Sequence, residues 1–315
     1  MRTAYLVLLG TNLVYATSYV ATRVVLDDVP PALLALVRLA IGAVIVVPIS
    51  RARRQALRPP SRHDARRIVW MGVLGFAAAF AFGHWGIARS TATNAALLII
   101  VEPATIMLLG PAMLGERLTR REKVGAALAL LGTVVVVVNG IPGLTHALAP
   151  HWQGDLLLVL SGVGYASYSL IGRGVLLRLD PLDVTARSIV WGGLAMIPLA
   201  LAEWLGGARP VLTAGAVAGA LYLGVVITAL GYLLWNWALA RAEASRAAVF
   251  LTVQPIAGVL LGALVLREPL TVFTLAGGVL VVLGLWMTAT GRGDGILESW
   301  PKRAGINSRT TPPTA

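Results

Sequence analysis

Apolar runs of about 20 residues recur along this chain of 315 residues, each broken by a short polar stretch. A helix rising about 1.5 Å per residue needs about 20 apolar residues to cross a hydrocarbon layer of about 30 Å. On that measure the pattern predicts ten helical spans, at about residues 4–24, 31–50, 68–88, 92–113, 121–139, 154–173, 182–203, 213–238, 242–266 and 270–290. The run behind Met1-Arg2-Thr3 has the outline of a signal peptide, with Val14-Tyr15-Ala16 as its cleavage site. An internal repeat, described below, requires it as a first span instead. Residues 291–315 turn polar, rich in Gly, Pro, Ser and Thr, and are expected to form a disordered cytoplasmic tail.

Composition sharpens the class. Hydrophobic residues make up 57% of the chain and charged ones 13%, with a mean hydropathy of +0.79; an ordinary soluble domain carries roughly 25% charged residues. This excludes a water-soluble globule and predicts an all-α integral membrane protein. The formal charge of +12 raises the question of nucleic acid, and the placement of the charges answers it. With the N-terminus inside, every Lys and Arg falls on the cytoplasmic side except Arg23, Arg38, Arg89, Arg209 and Arg267. Basic residues resist translocation, and the long loop 140–153, predicted to be external, carries none. Both termini are therefore expected in the cytoplasm, and no nucleic-acid partner. Cysteine is absent, which excludes disulfides and thiol chemistry, and no phosphate-binding GxxxxGK[ST] loop occurs. No cofactor is expected. Arginine far outnumbers lysine, present only as Lys123 and Lys302, and alanine is abundant. That bias points to a GC-rich bacterial source and a bacterial cytoplasmic membrane.

The chain repeats itself. At a constant offset of 152, Trp85, Arg89, Pro103, Gly110, Glu116, Thr119, Gly125 and Gly132 match Trp237, Arg241, Pro255, Gly262, Glu268, Thr271, Gly277 and Gly284. Nearer the start of each half the offset is 150, matching Tyr15, Arg23, Pro31, Gly42 and Pro48 with Tyr165, Arg173, Pro181, Gly192 and Pro198. The halves are read as residues 1–143 and 151–290, five spans each. Five is odd, so they must enter the membrane in opposite orientations. Inverted repeats are a recurring construction of secondary transporters, with the binding site at the repeat interface near the midplane.

The P-x11-GE-x-L-T stretch at Pro103–Thr119, with its weaker copy at Pro255–Thr271, resembles the EamA-type repeat of the drug/metabolite transporter superfamily. The resemblance covers about residues 4–290. It implies a ten-span exporter or exchanger of small metabolites, with a central cavity lined by spans 1, 3, 4, 6, 8 and 9. LVRLA around Arg38 is similar to the family's Arg-containing second span. The second copy departs from the pattern at Arg267, where the first has Gly115, and at Pro269, where it has Arg117.

Ionisable groups at membrane depth are costly and usually face a cavity or a partner. Glu102 and its mate Gln254 lie near the middle of spans 4 and 9, each just before a proline. Pro103 and Pro255 each free a carbonyl one turn earlier, and are read as kinks and hinges. Glu102 is read either as a site for a substrate cation or a proton, or as a packing residue held by a partner such as Arg38. Membrane depth disfavours its ionised form, so a proton displaced by substrate is one expected coupling. Asn12, Tyr15 and Tyr19 share one helix face, and Tyr165 and Tyr168 repeat the arrangement. A ring with a polar tip suits a small-molecule cavity, and it equally suits a contact between helices.

His84 and Asn236 are repeat mates beside Trp85 and Trp237 and are read as gate residues; Trp235 is a further cavity candidate. The substrate-binding set is thus Asn12, Tyr15, Tyr19, His84, Glu102, Tyr165, Tyr168, Trp235, Asn236 and Gln254. Arg38, Glu116 and Glu268 are read as structural polar groups. His146 and His151 are poorly spaced for one helical metal site, and no metal is assigned. The expected partners are a small-molecule substrate, the bilayer and, on the coupled reading, protons. A monomer is expected, with a dimer as the alternative. The competing functions are a sensor or scaffold without flux, and a membrane-embedded enzyme. The enzyme reading lacks a His-x-x-Glu-His or Gly-x-Ser-x-Gly pattern.

Overall fold

The computed structural model describes residues 2–52, 59–114, 118–139, 141, 151–176, 178–239, 250 and 253–290, and among these the regular elements are all helical. Spans 1 and 2 are α1 (Arg2–Val25) and α2 (Pro31–Ala52). Span 3 is one rod made of α3 (Arg62–Gly72), a π-helical stretch (Val73–Ala78) and α4 (Ala79–Arg89). It begins earlier than residue 68 because Ser61 caps it: the Ser61 hydroxyl accepts the Asp64 N–H at 3.1 Å, and hydropathy does not register a polar first turn. Span 4 is α5 (Ala92–Leu98) and α6 (Val101–Leu114), and span 5 is α7 (Arg120–Val138). The second half follows with α8 (Trp152–Leu176) and α9 (Pro181–Leu205). Span 8 joins α10 (Ala214–Leu221), a second π-helical stretch (Tyr222–Leu230) and α11 (Gly231–Leu239). Spans 9 and 10 end the bundle as α12 (Val253–Val265) and α13 (Val272–Thr290). The beginning of span 9 and the 291–315 tail lie outside the described residues.

Seven of these rods are apolar over at least 18 residues, and α12 and most of α13 are shorter apolar helices. α7 has the length of a span, but its first turn is Arg120-Arg121-Glu122-Lys123. That charged turn is ordered by a capping box: Glu122 accepts the Thr119 N–H at 2.8 Å, and the Thr119 hydroxyl accepts the Glu122 N–H at 3.2 Å. The result is an all-α integral membrane protein of ten spans.

Packing between the halves follows the repeat. α2 lies on its mate α9, and α7 on its mate α13; α4 and α6 lie on α8 as α11 and α12 lie on α1. The α7–α13 seam is made of glycine. A methyl on Gly125 would sit 2.8 Å from the Gly284 carbonyl oxygen, and one on Gly132 would sit 2.7 Å from that of Gly277. Gly125 is the mate of Gly277 and Gly132 of Gly284, so each glycine meets the partner's mate, the isologous pattern that a two-fold axis generates. For two antiparallel helices that axis crosses the pair, in the plane of the membrane, and the repeats are inverted. On the far side of α13, Leu275, Val279, Leu283 and Trp286 form an exposed stripe facing lipid. Where spans 2, 3 and 7 meet, Leu39, Phe76, Phe80, Ile189 and Met196 are buried together, with Tyr165, Tyr168 and Tyr232 against them.

Candidate functional site

The centre of the bundle is organised around Arg38, the cation within the apolar stretch of α2. Its guanidinium lies over the Phe80 ring, 4.6 Å from the centroid, and its Nε donates to the Thr228 hydroxyl at 2.8 Å. Thr228 belongs to the π-helical stretch of span 8 and donates its own hydroxyl five residues back, to the Leu223 carbonyl at 2.9 Å. The widened turn thus fixes the hydroxyl with its lone pairs toward span 2. π-Helical turns inside α-helices often mark functional sites, and the two here, 73–78 and 222–230, are repeat counterparts. The first carries Phe76, whose ring meets Tyr168 at 5.4 Å, Tyr232 at 5.6 Å and Phe80 at 6.0 Å between centroids. Phe80 meets Tyr165 at 5.9 Å.

Glu102 stands at the break in span 4. Pro103 has no N–H to give to the Ile99 carbonyl, and that oxygen instead takes the Glu102 N–H at 3.1 Å. The helix is interrupted at Ile99–Ile100, one turn before the proline. The Glu102 carboxyl makes no ion pair with Arg38, which donates to Thr228 and lies over the Phe80 ring. Arg38 reaches Tyr165 through the Phe80 ring, and Glu102 abuts α8 at Gly162, about one turn before Tyr165. The guanidinium and the carboxyl thus approach Tyr165 from different elements and do not pair with each other.

On the equivalent side of the second repeat the polar groups are paired. Gln254 donates its Nε2–H to the Asn12 side-chain Oδ1 at 2.8 Å and accepts the Tyr19 hydroxyl at 3.4 Å, while the Asn12 Nδ2–H donates to the Leu8 backbone carbonyl at 2.7 Å. Asn12, Tyr19 and Gln254 are therefore one hydrogen-bonded group joining α1 to α12. The mate of Asn12 is Gly162. A methyl there would lie 2.7 Å from the Val101 Cβ, so span 6 packs on backbone beside Glu102 and offers it no amide. Tyr15 lies against the Gly231 backbone. Tyr168 turns toward α9, where its hydroxyl meets that of Thr185 at 2.9 Å.

The remaining candidates lie outside this centre except His84, whose ring borders it, 5.9 Å from Phe80 between centroids. His84 is buried at the end of the bundle where spans 3 and 4 join, its Nδ1 3.1 Å from the Pro31 carbonyl oxygen. Beside it, Trp85 donates to Glu203 at 2.6 Å, and the other Glu203 oxygen accepts the Ala32 N–H at 2.8 Å, tying spans 2, 3 and 7. At the same end Asp155 accepts from Ser90 and from Asn94 at 3.1 Å, and pairs with His151 at 2.8 Å. Glu268 accepts the Ala92 and Thr93 N–H groups at 2.7 and 2.8 Å, capping α5. Trp235 packs with Leu8, Ala238 and Tyr5, near the start of α1. Pro255 is buried in the first turn of α12. Glu116 and the Asn236 side chain lie outside the described residues. No cluster of three metal-ligating side chains occurs among the described residues.

Phe76, Phe80, Thr228 and Tyr232 escaped the sequence reading, which followed ionisable and hydroxyl groups along single helices. A signal was there: Phe76 and Thr228, like Phe80 and Tyr232, are mates at the 152 offset, and both pairs meet around Arg38.

Comparison with known proteins places the fold in a family. The model of the EamA-like transporter family matches the chain twice, over residues 2–138 and 152–290. The chain belongs to the EamA-like transporter family. This transporter is 30% identical over 231 residues to an uncharacterised transporter of Archaeoglobus fulgidus, covering 73% of this chain and 79% of that protein. It is 28% identical to a probable terminal-alkyne amino-acid exporter of Streptantibioticus cattleyicolor, over 88% of this chain and 90% of the other. A probable amino-acid metabolite efflux pump of Salmonella typhimurium is 26% identical, over 88% and 92%. One solved crystal structure, 21% identical, superposes with a TM-score of 0.62 over 91% of this chain and 97% of its own, and shows the same fold. The protein is thus a multi-pass membrane transporter of small molecules, and not an enzyme.

Proposed function

We propose that this transporter is a secondary-active exporter or exchanger of small zwitterionic metabolites, amino acids above all, working by alternating access. The observation that carries the reading is that the Arg38 guanidinium and the Glu102 carboxyl flank Tyr165 from different elements and form no ion pair with each other. A substrate carboxylate would bind the guanidinium fork, an ammonium would bind Glu102, and the rings of Phe80, Tyr165 and Tyr232 would hold the side chain. The names of the amino-acid exporter and efflux relatives agree with that chemistry. The broken span 4 and the inverted repeat supply the hinge and the two arrangements that alternating access needs.

Proton coupling through Glu102 is part of the proposal, since substrate ammonium and proton would compete for one carboxylate. So are a bacterial cytoplasmic membrane with both termini inside, and function as a monomer. The decisive experiment is counterflow in proteoliposomes with labelled amino acids, amines, nucleosides and cationic drugs. Accumulation of chemically unchanged zwitterions, and weak uptake of the matching amines and carboxylates, is expected. Uptake of amines alone would remove Arg38 from the site, and no flux of any member would favour a sensor or scaffold. Accessibility tags at residues 60 and 145 should fall on opposite sides of the membrane.

A further inference from the structure

At the end of the bundle where spans 3 and 4 join, an open groove of about 420 Å³ runs between α4 and α8 on the outer surface of the bundle. Trp85, Arg89, Trp152, Gln153, Leu156 and Leu160 line it. It lies apart from the Arg38–Glu102 centre, and its chemistry changes along its length. Leu156 and Leu160, one helical turn apart on α8, are 45% and 47% exposed on the apolar surface of the bundle. Trp152 opens the helix at the level where aromatic belts sit. Trp85 forms a wall, its indole N–H already committed to Glu203. Arg89 closes the groove at the last residue of α4.

Arg89 is exposed, and it is one of the few basic residues on this predicted external side. Arg23 there is paired with Asp27, and Arg209 lies over the Trp204 ring. Arg89 has no carboxylate partner among the described residues; one N–H goes to the Trp85 carbonyl at 3.1 Å. A guanidinium carries five N–H donors in a fixed fork, so the rest remain for an acceptor with several oxygens. A cation at headgroup level above an apolar groove matches one kind of molecule, with phosphate at one end and a hydrocarbon chain at the other.

We propose that this groove is a binding site for a single anionic glycerophospholipid. The phosphate lies on Arg89, Gln153 and the Trp152 indole N–H contact the glycerol and ester oxygens, and one acyl chain runs over Leu156 and Leu160. Through Trp85 and Glu203 the headgroup then sits on the tie that holds spans 2, 3 and 7 together.

The test is native mass spectrometry of delipidated, full-length protein offered equal amounts of phosphatidylglycerol and phosphatidylcholine. Wild type should retain phosphatidylglycerol in preference. Arg89→Gln should cut that preference about fivefold, the effect of one basic residue at a lipid surface, and leave phosphatidylcholine retention unchanged. Arg209→Gln is the control and should behave as wild type. Leu156→Trp, with Arg89 intact, should reduce retention of both lipids by filling the groove. Equal retention of the two lipids by wild type, an unchanged preference in Arg89→Gln, or an equal loss in Arg209→Gln would each overturn the proposal. Inorganic phosphate at millimolar concentration should not displace the lipid; displacement would mean that the site reads only the anion.

Discussion

Removing the Glu268 carboxylate tests how the second repeat holds the first. α5 is a helix of seven residues that ends at the break before Glu102, too short to stand without help at its ends. Its first four N–H groups are all satisfied: Ala92 and Thr93 by Glu268, Asn94 by the Thr91 hydroxyl at 3.0 Å, and Ala95 by the Thr91 carbonyl at 3.1 Å. Ala92 and Thr93 are buried, so water has little access to replace the carboxylate. Hydrogen bonds to a charged acceptor are worth about 1.5–3 kcal/mol each, and a buried donor left without a partner costs about 1–3 kcal/mol. Allowing for partial repair by relaxation, Glu268→Ala should lose about 2–4 kcal/mol. Glu268→Gln keeps one acceptor oxygen and turns an NH2 toward the second donor, so it should lose about half as much. Equilibrium unfolding in mixed micelles, followed by tryptophan fluorescence, measures both. The reasoning fails if Glu268→Ala lies within about 0.5 kcal/mol of wild type, or if Gln is the more damaging change. Transport should fall with stability, because α5 leads directly into the Glu102 break.

Glu102→Gln should leave counterflow measurable but abolish its response to an imposed pH gradient, because an amide does not titrate; an unchanged pH dependence would exclude Glu102 as the coupling group. Arg38→Lys keeps the charge but loses the planar face over Phe80 and the Nε–H to Thr228, so substrate affinity should fall about tenfold or more in a binding assay while the protein stays folded. Gly132→Ala puts a methyl against the Gly277 carbonyl and should destabilise by about 1–3 kcal/mol, read as a lowered midpoint in detergent. Arg267 has φ of 55°, a left-handed conformation costing a residue with a side chain about 1–2 kcal/mol, and the first repeat carries Gly115 at that position. Arg267→Gly should therefore be neutral or raise the midpoint slightly, whereas Arg267→Val should lower it.

Much of the molecule can be read from the amino-acid order. Hydropathy locates most of the spans, because a bilayer accepts no unpaired backbone and so converts each long apolar run into a helix; the polar first turns of α3 and α7 needed their caps to be seen. Odd-numbered repeats at a near-constant offset impose opposite orientations, and Pro103 announces the break that the backbone shows at Ile99–Ile100. Tertiary structure alone decided which polar groups face one another. Glu268 turned out to cap α5 across the repeat boundary, Arg38 to rest on Phe80 and Thr228 rather than on Glu102, and Gly162 to leave Glu102 without the amide that Asn12 gives Gln254. The physical reason is range. Burial and helix formation act within a few residues, so sequence records them directly, whereas a hydrogen bond between spans is fixed by the register and rotation of two helices, quantities that only their packing sets.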